Sequence, residues 1–318
     1  MPRPLVSIIV PAYNCAEFVR DAIDSLLAQK YEPMEVVVVN DGSTDDTLKV
    51  LAEYGDRIRA FSQPNAGPAA ARNRAVREAR GEWLAFVDGD DLWLPGHPAL
   101  AMSYIAEHPE AKVVFGEWLV WTPDEDGSFA PLNPPPPARV AETNPQNSGW
   151  VYPKLLFDSI IHIISSVVHR SVYDAVGGFD EGLRTGSDYD FWLKASRVVP
   201  FVQLRGAVAV YRQNRASVTH TIRAENNPYR LLKRAIDTYG LSDDAGHSVP
   251  AGAVAARLAD LAFLHGYRHY WRGDARIAVT SFWQVLGHRP WHLKAAGYLL
   301  ASWGKRFGVQ MPLKRHGA

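Results

Sequence analysis

Three aspartates, Asp88, Asp90 and Asp91, directly follow the apolar run Trp83-Leu-Ala-Phe-Val87. Carboxylates this close together repel one another and need a positive counter-charge. A divalent cation such as Mg²⁺ or Mn²⁺ prefers oxygen ligands and would supply that charge, and a diphosphate would fill its remaining positions. A plain polar turn is the alternative, since Asp-Gly and Asp-Asp are common in loops. The stretch by itself leaves both interpretations open.

The apolar run before these aspartates is typical of a strand buried on both faces of a mostly parallel sheet. Side chains that follow such a strand lie where open α/β sheets bind ligands. The preceding residues predict strands over 5–10, 35–39 and 57–62 and helices over 16–29, 46–54 and 69–79. Ser43 or Thr44 is expected to cap the second helix. This alternation predicts βαβ units, with helices on both faces of a parallel sheet.

The pattern changes beyond residue 95. We predict one or two strands over 112–121, an exposed proline-rich loop over 131–138, a short helix over 171–176, a helix over 187–197 and a last strand over 201–211. From residue 227 onward only helical periodicity remains, with a break over 241–250. The chain is therefore expected to form two domains, an α/β domain over 1–222 and a helical domain over 223–318.

Composition narrows the class of protein. The chain has 318 residues, of which 47% are hydrophobic and 21% charged, as in soluble globular proteins. A formal net charge of zero argues against a nucleic-acid partner. The single cysteine, Cys15, excludes an internal disulfide and is expected to be a small buried thiol, since no histidine motif lies nearby. With no leader before the first strand and no apolar run of about 20 residues, we expect a cytoplasmic protein.

Five motifs stand in order along the chain. They are Ser7-Ile-Ile-Val-Pro-Ala-Tyr-Asn14, Val39-Asn-Asp-Gly-Ser-Thr-Asp45, Asn65-Ala-Gly-Pro-Ala-Ala-Ala-Arg-Asn73, Val87-Asp-Gly-Asp-Asp91, and Val176-Gly-Gly-Phe-Asp-Glu-Gly-Leu183 with Asp188-Tyr-Asp-Phe-Trp192. Together they resemble the family 2 glycosyltransferases of the GT-A fold, over residues 5–217. The resemblance implies an α/β fold with a mostly parallel, Rossmann-like sheet flanked by helices, to which this chain adds a C-terminal all-helical extension.

The resemblance also implies an activity. It is a metal-dependent, inverting transfer of a sugar from a nucleotide-diphosphate donor, expected to be a UDP-sugar, to a hydroxyl of a cell-surface glycan or a lipid-linked oligosaccharide. Two other classes of protein stay open. A sugar nucleotidyltransferase also uses a carboxylate-bound metal, although no glycine-rich basic loop follows the first strand here. A non-catalytic member would bind nucleotide and act as a scaffold, without turnover.

The nucleotide site is implied by two motifs. Pro11, Ala12 and Tyr13 match the segment that lines the nucleotide pocket in the family, where the ring of Tyr13 can stack on a base. An ordinary half-buried tyrosine is the alternative. Asp41, after the second predicted strand, is implied to accept a hydrogen bond from the base, commonly uracil, or else it is a turn residue.

Charged residues are implied to contact the diphosphate. Arg72 would clamp phosphate or base, while Arg74 lies about 200° away on the same helix and is expected in solvent. In the Asp-x-Asp motif, Asp90 is implied to bind the metal, and Asp88 to contact ribose or share the metal. Asp91 either binds the metal itself or supports a residue that does.

Asp188 is the candidate for the general base that deprotonates the acceptor hydroxyl. The family has Glu-Asp at this place, and here the pair is Ser187-Asp188, which leaves in doubt only what the glutamate would have contributed. Ser187 is expected to cap the helix instead. Asp190 is the rival base, although its offset places it on another face. A helix-start carboxylate stabilised by the dipole is the alternative for Asp188.

Three further residues are weaker candidates. Arg212 belongs to Tyr211-Arg212-x-x-x-x-Ser217, which resembles the segment that closes this domain with a basic residue near the phosphates. A structural arginine is the alternative. His162 and Trp192 are candidates for the acceptor site, against a hydrogen-bonded core histidine and a core tryptophan.

The C-terminal third predicts a small helical bundle packed on the α/β domain or on a second subunit, which leaves a homo-oligomer open. No acidic residue follows Asp274, whereas the segment 291–315 mixes tryptophan with basic residues. This composition suits a segment that lies on anionic lipid. It suits equally a helix docked on protein with its lysines in solvent.

Overall fold

The structure is a computed structural model, and it describes residues 3–135, 141–213 and 222–306. The chain divides into two compact units, Met1–Arg215 with Asp243–Ala245, and Ala216–Ser242 with Gly246–Ala318. The predicted proline-rich loop runs into residues 136–140 and the predicted basic tail runs beyond residue 306, so that both lie partly outside the described residues.

The first unit contains one sheet, whose eight described strands run in the order β3-β2-β1-β4-β7-β6-β8-β5. The strands are β1 Val6–Ala12, β2 Met34–Asn40, β3 Arg59–Ser62, β4 Trp83–Phe86, β5 Leu92–Trp93, β6 Val113–Trp121, β7 Ser166–His169 and β8 Phe201–Arg212. Strands β3, β2, β1 and β4 are parallel, which confirms the predicted βαβ half. Beyond β4 the sheet is mixed, because β7 runs antiparallel to both β4 and β6.

Helices flank this sheet and make up the described part of the second unit. The first unit has α1 Val19–Leu27, α2 Thr47–Ala52, α3 Pro68–Glu78, α4 His97–Glu107, α5 Tyr152–Leu155, α6 Arg170–Val176 and α7 Ser187–Ala195. The second unit has α8 Asn227–Tyr239, α9 Ala251–Arg272, α10 Ala275–His288 and α11 Leu293–Arg306. The predicted helical extension, with its break after residue 240, is confirmed. None of the described helices is both long and apolar enough to cross a lipid bilayer.

Strand β1 extends beyond its predicted end at residue 10. Pro11 and Ala12 are still in register with Val39 and Asn40 of β2. A proline removes one N–H donor but leaves the neighbouring carbonyls able to pair, and the Ala12 carbonyl accepts from the N–H of Asp41 at 2.8 Å. The strand therefore delivers its last residues to the same edge of the sheet as the end of β2.

The predicted cap of α2 is wrong, and the residues concerned have another role. Asp45, not Ser43 or Thr44, accepts from the N–H of Thr47 at 3.0 Å. The Ser43 hydroxyl accepts from the backbone N–H of Asn14 at 3.0 Å, and the Asn14 side-chain oxygen accepts from the N–H of Thr44 at 2.8 Å. These bonds join the loop after β1 to the loop after β2.

His97 connects α4 to the sheet. Its ring is buried and packs edge-on against Trp93 of β5, with ring centroids 4.4 Å apart, and its Nε2 lies 3.2 Å from the carbonyl oxygen of Ser165. Burial lowers the pKa of His97 to about 3, against 6.5 for an ordinary histidine. The unfolded chain therefore binds one more proton than the folded chain between these two values, so that stability falls as pH falls below 6.5.

We expect the free energy of unfolding to fall by about 2 kcal/mol from this residue when the pH is lowered from about 7 to about 5. Urea unfolding at both pH values measures it. His97→Phe should remove this part of the pH dependence, whereas His108→Phe, at the partly exposed histidine that follows the same helix, should leave it unchanged. Equal pH dependence in wild type and His97→Phe would contradict the assignment.

Candidate active site

The three aspartates lie on the loop that joins β4 to β5. All four residues of β4 are buried, and the N–H of Val87 continues its pairing with β1 by donating to the Ile9 carbonyl at 3.1 Å. At Gly89 an added Cβ would lie 2.9 Å from the Cys15 Sγ and 3.2 Å from the Pro11 carbonyl oxygen. Only glycine therefore lets this loop pass so close to the end of β1.

A buried ion pair joins this loop to α3. The Arg72 guanidinium is almost fully buried and pairs through Nη2 with Oδ1 of Asp88, whose side chain is half-buried. Its centre also lies 5.6 Å from the ring centroid of Phe179. Burial alone would lower the pKa of Arg72, but the negative charges of Asp88 and Asp188 raise it above its ordinary value. The predicted residues Arg72, Asp88 and Asp188 thus form one electrostatic cluster.

The other two aspartates lack full compensation. Asp91 is buried, and its Oδ1 accepts from the backbone N–H of Arg212 at 2.8 Å, while its Oδ2 has no hydrogen-bond partner among the described residues. Burial and the charge of Asp88 raise the pKa of Asp90 to about 6. Burial, with Asp90 and Asp88, raises the pKa of Asp91 well above its usual range. The cluster is therefore short of positive charge.

These residues fit a hard divalent cation. Their donor atoms are carboxylate oxygens, the kind that Mg²⁺ and Mn²⁺ prefer, and the uncompensated charge at Asp90 and Asp91 is what a cation would balance. Within the described ranges, no three His, Cys, Asp or Glu side chains are placed to hold a metal ion by themselves.

Cys15 has the role predicted for it. The thiol is buried beneath this loop, and burial together with the charge of Asp90 raises its pKa to about 12. It is therefore protonated at neutral pH and is not a nucleophile.

Asp41 braces the approach to α3. Its buried carboxylate accepts hydrogen bonds at Oδ1 from the side chain of Gln63 at 2.7 Å and from the N–H of Ala66 at 3.0 Å. Its Oδ2 accepts one further bond, from the N–H of Gly67 at 2.8 Å. Sequence analysis missed this role, which fixes the loop from which the helix of Arg72 begins.

Tyr13, which directly follows β1, is 50% exposed.

The two candidate bases, both in the first turn of α7, differ in burial and in partner. Asp188 is half-buried, and its charge acts on Arg72. Asp190 is buried and pairs with Lys194 at 2.7 Å, so it lies on another face, as its offset predicts. Ser187 is buried and does not cap the helix, so that prediction is wrong, because Gly186 is the N-cap residue, with a φ of 78°.

His162 lies beside the cluster. Its ring packs between Trp118 and Tyr211, with centroid distances of 5.5 and 5.0 Å, and its buried Nδ1 has no hydrogen-bond partner among the described residues. Burial lowers its pKa, against the opposing charges of Asp188 and Asp88. A contact of His162 with the acceptor stays a prediction.

Trp192 belongs to the core, so the predicted acceptor contact is wrong. Its side chain is fully buried, and its ring centroid lies 4.9 Å from that of Phe191 and 5.9 Å from that of Phe201. No acceptor can reach it without unpacking the core.

Arg212 has a supporting position at the end of β8. Its guanidinium is buried among the rings of Phe18, Trp121 and Phe129, at 4.6, 4.9 and 5.5 Å from their centroids. It pairs with Asp21 at 3.0 Å, and its charge lowers the pKa of both Asp90 and Asp91 against the effect of burial. A phosphate contact by Arg212 stays a prediction, and Ser217 of the same motif lies outside the described residues.

Asn73, which sequence analysis passed over, fastens α3 to the segment before α7. Its Oδ1 accepts from the N–H of Phe179 at 2.9 Å and from the hydroxyl of Tyr173 at 2.8 Å. Its Nδ2 donates to the Phe179 carbonyl and to Glu181, both at 2.8 Å. Gly178 has a φ of 72°, and a Cβ there would lie 2.7 Å from the Tyr173 hydroxyl. The adjacent Arg72-Asn73 and the pair Gly177-Gly178 were the sequence features that could have indicated this role.

Comparison of the sequence with known proteins gives a family. A model described as "Glycosyl transferase family 2" matches residues 7–149. An uncharacterized glycosyltransferase of Rickettsia typhi is 32% identical over 231 residues, which are 72% of this chain and 70% of that protein. Chondroitin synthase of Pasteurella multocida is 28% identical over 294 residues, 88% of this chain and 29% of that protein. The chain likewise spans only 28% to 32% of several other curated relatives.

Solved structures share the fold. TarS 1-349 of S. aureus in complex with UDP-GlcNAc matches with a TM-score of 0.65 at 19% identity, over 96% of this chain and 92% of that one. Mannosyltransferase PcManGT from Pyrobaculum calidifontis, in complex with GDP-Man and Mn²⁺, matches with a TM-score of 0.54 at 21% identity, over 96% and 88%. At these identities the likeness establishes the fold alone, and it confirms the predicted GT-A fold.

We expect Asn73→Ala to lower the free energy of unfolding by about 2–4 kcal/mol, because it leaves the buried N–H and carbonyl of Phe179 without partners. Urea unfolding measures the change. Glu181→Ala removes one exposed partner of the same amide and should cost less than about 1 kcal/mol. Equal losses in the two variants would contradict the role given to Asn73.

Proposed function

The chain belongs to glycosyl transferase family 2, and we propose that it transfers a sugar, with inversion, from a nucleoside diphosphate donor to a hydroxyl group of an acceptor. The observation that carries the proposal is the electrostatic cluster at the end of β4. There the Arg72–Asp88 ion pair lies within reach of the charge of Asp188, beside aspartates that lack counter-charge. A phosphorylated donor and a general base would meet at this place.

We propose a UDP-sugar as the donor. Oδ2 of Asp41 accepts one hydrogen bond from the protein, and a carboxylate oxygen has a second lone pair that fits the imide N–H of uracil. The half-exposed ring of Tyr13 is available to stack on the base. Pro11 and Ala12, which end β1, directly precede it. TarS was solved with UDP-GlcNAc, whereas PcManGT was solved with GDP-Man, so the base is the first property to measure.

Asp90 and Asp88 are proposed to hold the divalent metal. When bound, Mn²⁺ or Mg²⁺ would act as a Lewis acid toward the diphosphate leaving group. Arg72 holds Asp88 in place and adds a fixed positive charge beside the phosphates. Asp91, anchored by the N–H of Arg212, supports the loop from within.

Asp188 is proposed as the general base. The acceptor oxygen attacks the anomeric carbon, the bond from that carbon to the diphosphate oxygen breaks, and the hydroxyl proton passes to the Asp188 carboxylate. The electron pair of the broken bond leaves with the diphosphate. Support comes from the half-buried position of Asp188 and from its proximity to Arg72 and His162. Ser187, which stands where the family has glutamate, is buried.

The acceptor is proposed to be a hydroxyl of a cell-surface glycan or a lipid-linked oligosaccharide. The relative named chondroitin synthase supports a polysaccharide acceptor. His162 is the described side chain that we place beside the acceptor, because it lies near both Asp188 and Asp88. A non-catalytic scaffold would share all of these binding features and differ only in turnover.

Calorimetric titration with UDP, GDP and dTDP, with and without Mn²⁺, tests the donor and the metal together. We expect UDP to bind best, only with Mn²⁺, and Asp90→Ala to weaken it at least about tenfold, since a ligand to the cation is lost. Asp56→Ala, at an exposed aspartate outside the site, serves as the control. Unchanged UDP affinity in Asp90→Ala would refute the metal site, and binding of no nucleotide at all would refute the donor class.

Asp188→Asn should lower the turnover number by about 10²–10⁴-fold while leaving UDP affinity unchanged, because an amide cannot take the proton. Release of UDP from a panel of UDP-sugars measures turnover. Asp190→Asn, which loosens the pair with Lys194, should lower thermal stability with little change in turnover. If Asp190→Asn abolished turnover and Asp188→Asn did not, the base would be Asp190. If wild type bound UDP yet released none from any donor, even with glycan acceptors present, the scaffold alternative would stand.

A further inference from the structure

The last helices of the chain expose large apolar side chains. Of those left exposed in the described part of the chain, most lie between residues 264 and 303, namely Leu264, Trp283, Trp291, Leu293, Leu300 and Trp303. Trp291 is 91% exposed, Leu293 84% and Leu300 64%. Single exposed apolar side chains are routine, whereas a cluster of large ones marks a binding surface.

On α11 these side chains share one side of the helix. At about 100° per residue, Leu293, Leu300 and Trp303 fall within an arc of about 120° that also holds Ala296 and Gly297 and no charged residue. The rest of the helix carries the buried residues Ala295, Tyr298, Leu299, Ala301 and Ser302 together with the exposed basic residues Lys294, Lys305 and Arg306. The helix therefore exposes an apolar side in addition to its buried one. We call the solvent side, formed by Leu293, Ala296, Gly297, Leu300 and Trp303, the α11 face.

The charged residues of the segment that carries this face have one sign. Residues 275–306 contain no aspartate or glutamate, and they contain the basic residues Arg276, Arg289, Lys294, Lys305 and Arg306. Lys294 and Lys305 belong to α11 itself. Lys294 lies 5.4 Å from the ring centroid of Phe263, and Lys305 donates to the Tyr270 carbonyl oxygen. A two-fold contact with a second copy would bring like charges together. An anionic surface is the complementary partner.

We propose that the α11 face docks this protein on an anionic lipid surface. A helix with an apolar side and basic flanks binds such a surface by shallow insertion and by attraction to the headgroups. The exposed tryptophans Trp291, just before α11, and Trp303, in its last turns, suit the headgroup level. With 14 residues α11 is about 21 Å long, less than the roughly 30 Å of a hydrocarbon core, so it would lie along the surface. The inference does not depend on the proposed sugar transfer.

Gly297 allows a clean test. An added Cβ there meets nothing within 4 Å, so Gly297→Glu places a carboxylate in the α11 face without disturbing the core. Gly297→Ala is the neutral control at the same position. Gly252→Glu, on α9, adds the same charge at another open position, because a Cβ there also meets nothing within 4 Å.

The measurement is co-sedimentation of the full chain with vesicles of equal parts phosphatidylcholine and phosphatidylglycerol. We expect wild type, Gly297→Ala and Gly252→Glu to bind, and Gly297→Glu to bind at least about tenfold more weakly. Leu300→Ser should repeat the loss without a change in charge. Binding should be weaker to phosphatidylcholine alone, and weaker at about 1 M salt than at about 0.1 M, because part of it is electrostatic.

Equal binding of Gly297→Glu and Gly252→Glu would overturn the proposal, as would failure of wild type to bind anionic vesicles. Sedimentation velocity supplies the remaining outcome. A wild-type dimer that Gly297→Glu converts to monomer, with no vesicle binding, would assign the face to a second copy. Circular dichroism confirms that each variant is folded, so that a loss of binding is not a loss of structure.

Discussion

The buried ion pair between Arg72 and Asp88 is the interaction on which the arrangement of the site depends. Three aspartates within four residues would repel one another in a buried loop, and breaking a buried pair by removing one partner typically costs about 3–5 kcal/mol. Arg72 of α3 meets them from one side and Arg212 of β8 contributes from another, both from buried positions. The two arginines hold the loop together yet leave Asp90 and Asp91 short of positive charge. We propose that a divalent metal ion, bound together with the diphosphate, balances this remaining negative charge.

Arg72 can hold the loop together only if its own helix is held in place. Hydrogen bonds fix α3 just before its first residue and again within the helix. Asp41 accepts the N–H groups of Ala66 and Gly67 just before the helix begins. Asn73 then binds the backbone of Phe179 on both its donor and its acceptor side. The same residue thus connects the helix of Arg72 to the segment that leads to Asp188. The hydrogen bonds of Asp41 and Asn73 thus preorganise the charged groups.

The second unit differs from the first in that it exposes an apolar surface to solvent. Its helices bury one side in the usual way, but α11 has an apolar solvent side where a helix of a globular protein has a polar one. Leaving such a surface in water is unfavourable, and with no acidic residue in the segment a lipid surface is the partner proposed for it. Electrostatics therefore organises the first unit and apolar exposure distinguishes the second.

The sequence by itself determined the βαβ half of the sheet, the helical extension, and the loop that carries Asp88 and Asp90. Buried parallel strands are continuous apolar runs, and that signal is local. Only the tertiary structure decided that Trp192 is a core residue, that Gly186 rather than Ser187 caps α7, and that Asp41 braces a loop. Asn73 is the sharpest case, since its partner Phe179 lies 106 residues away along the chain. Burial and long-range hydrogen bonds depend on how elements pack against one another, and packing leaves no periodic pattern in the residues it brings together.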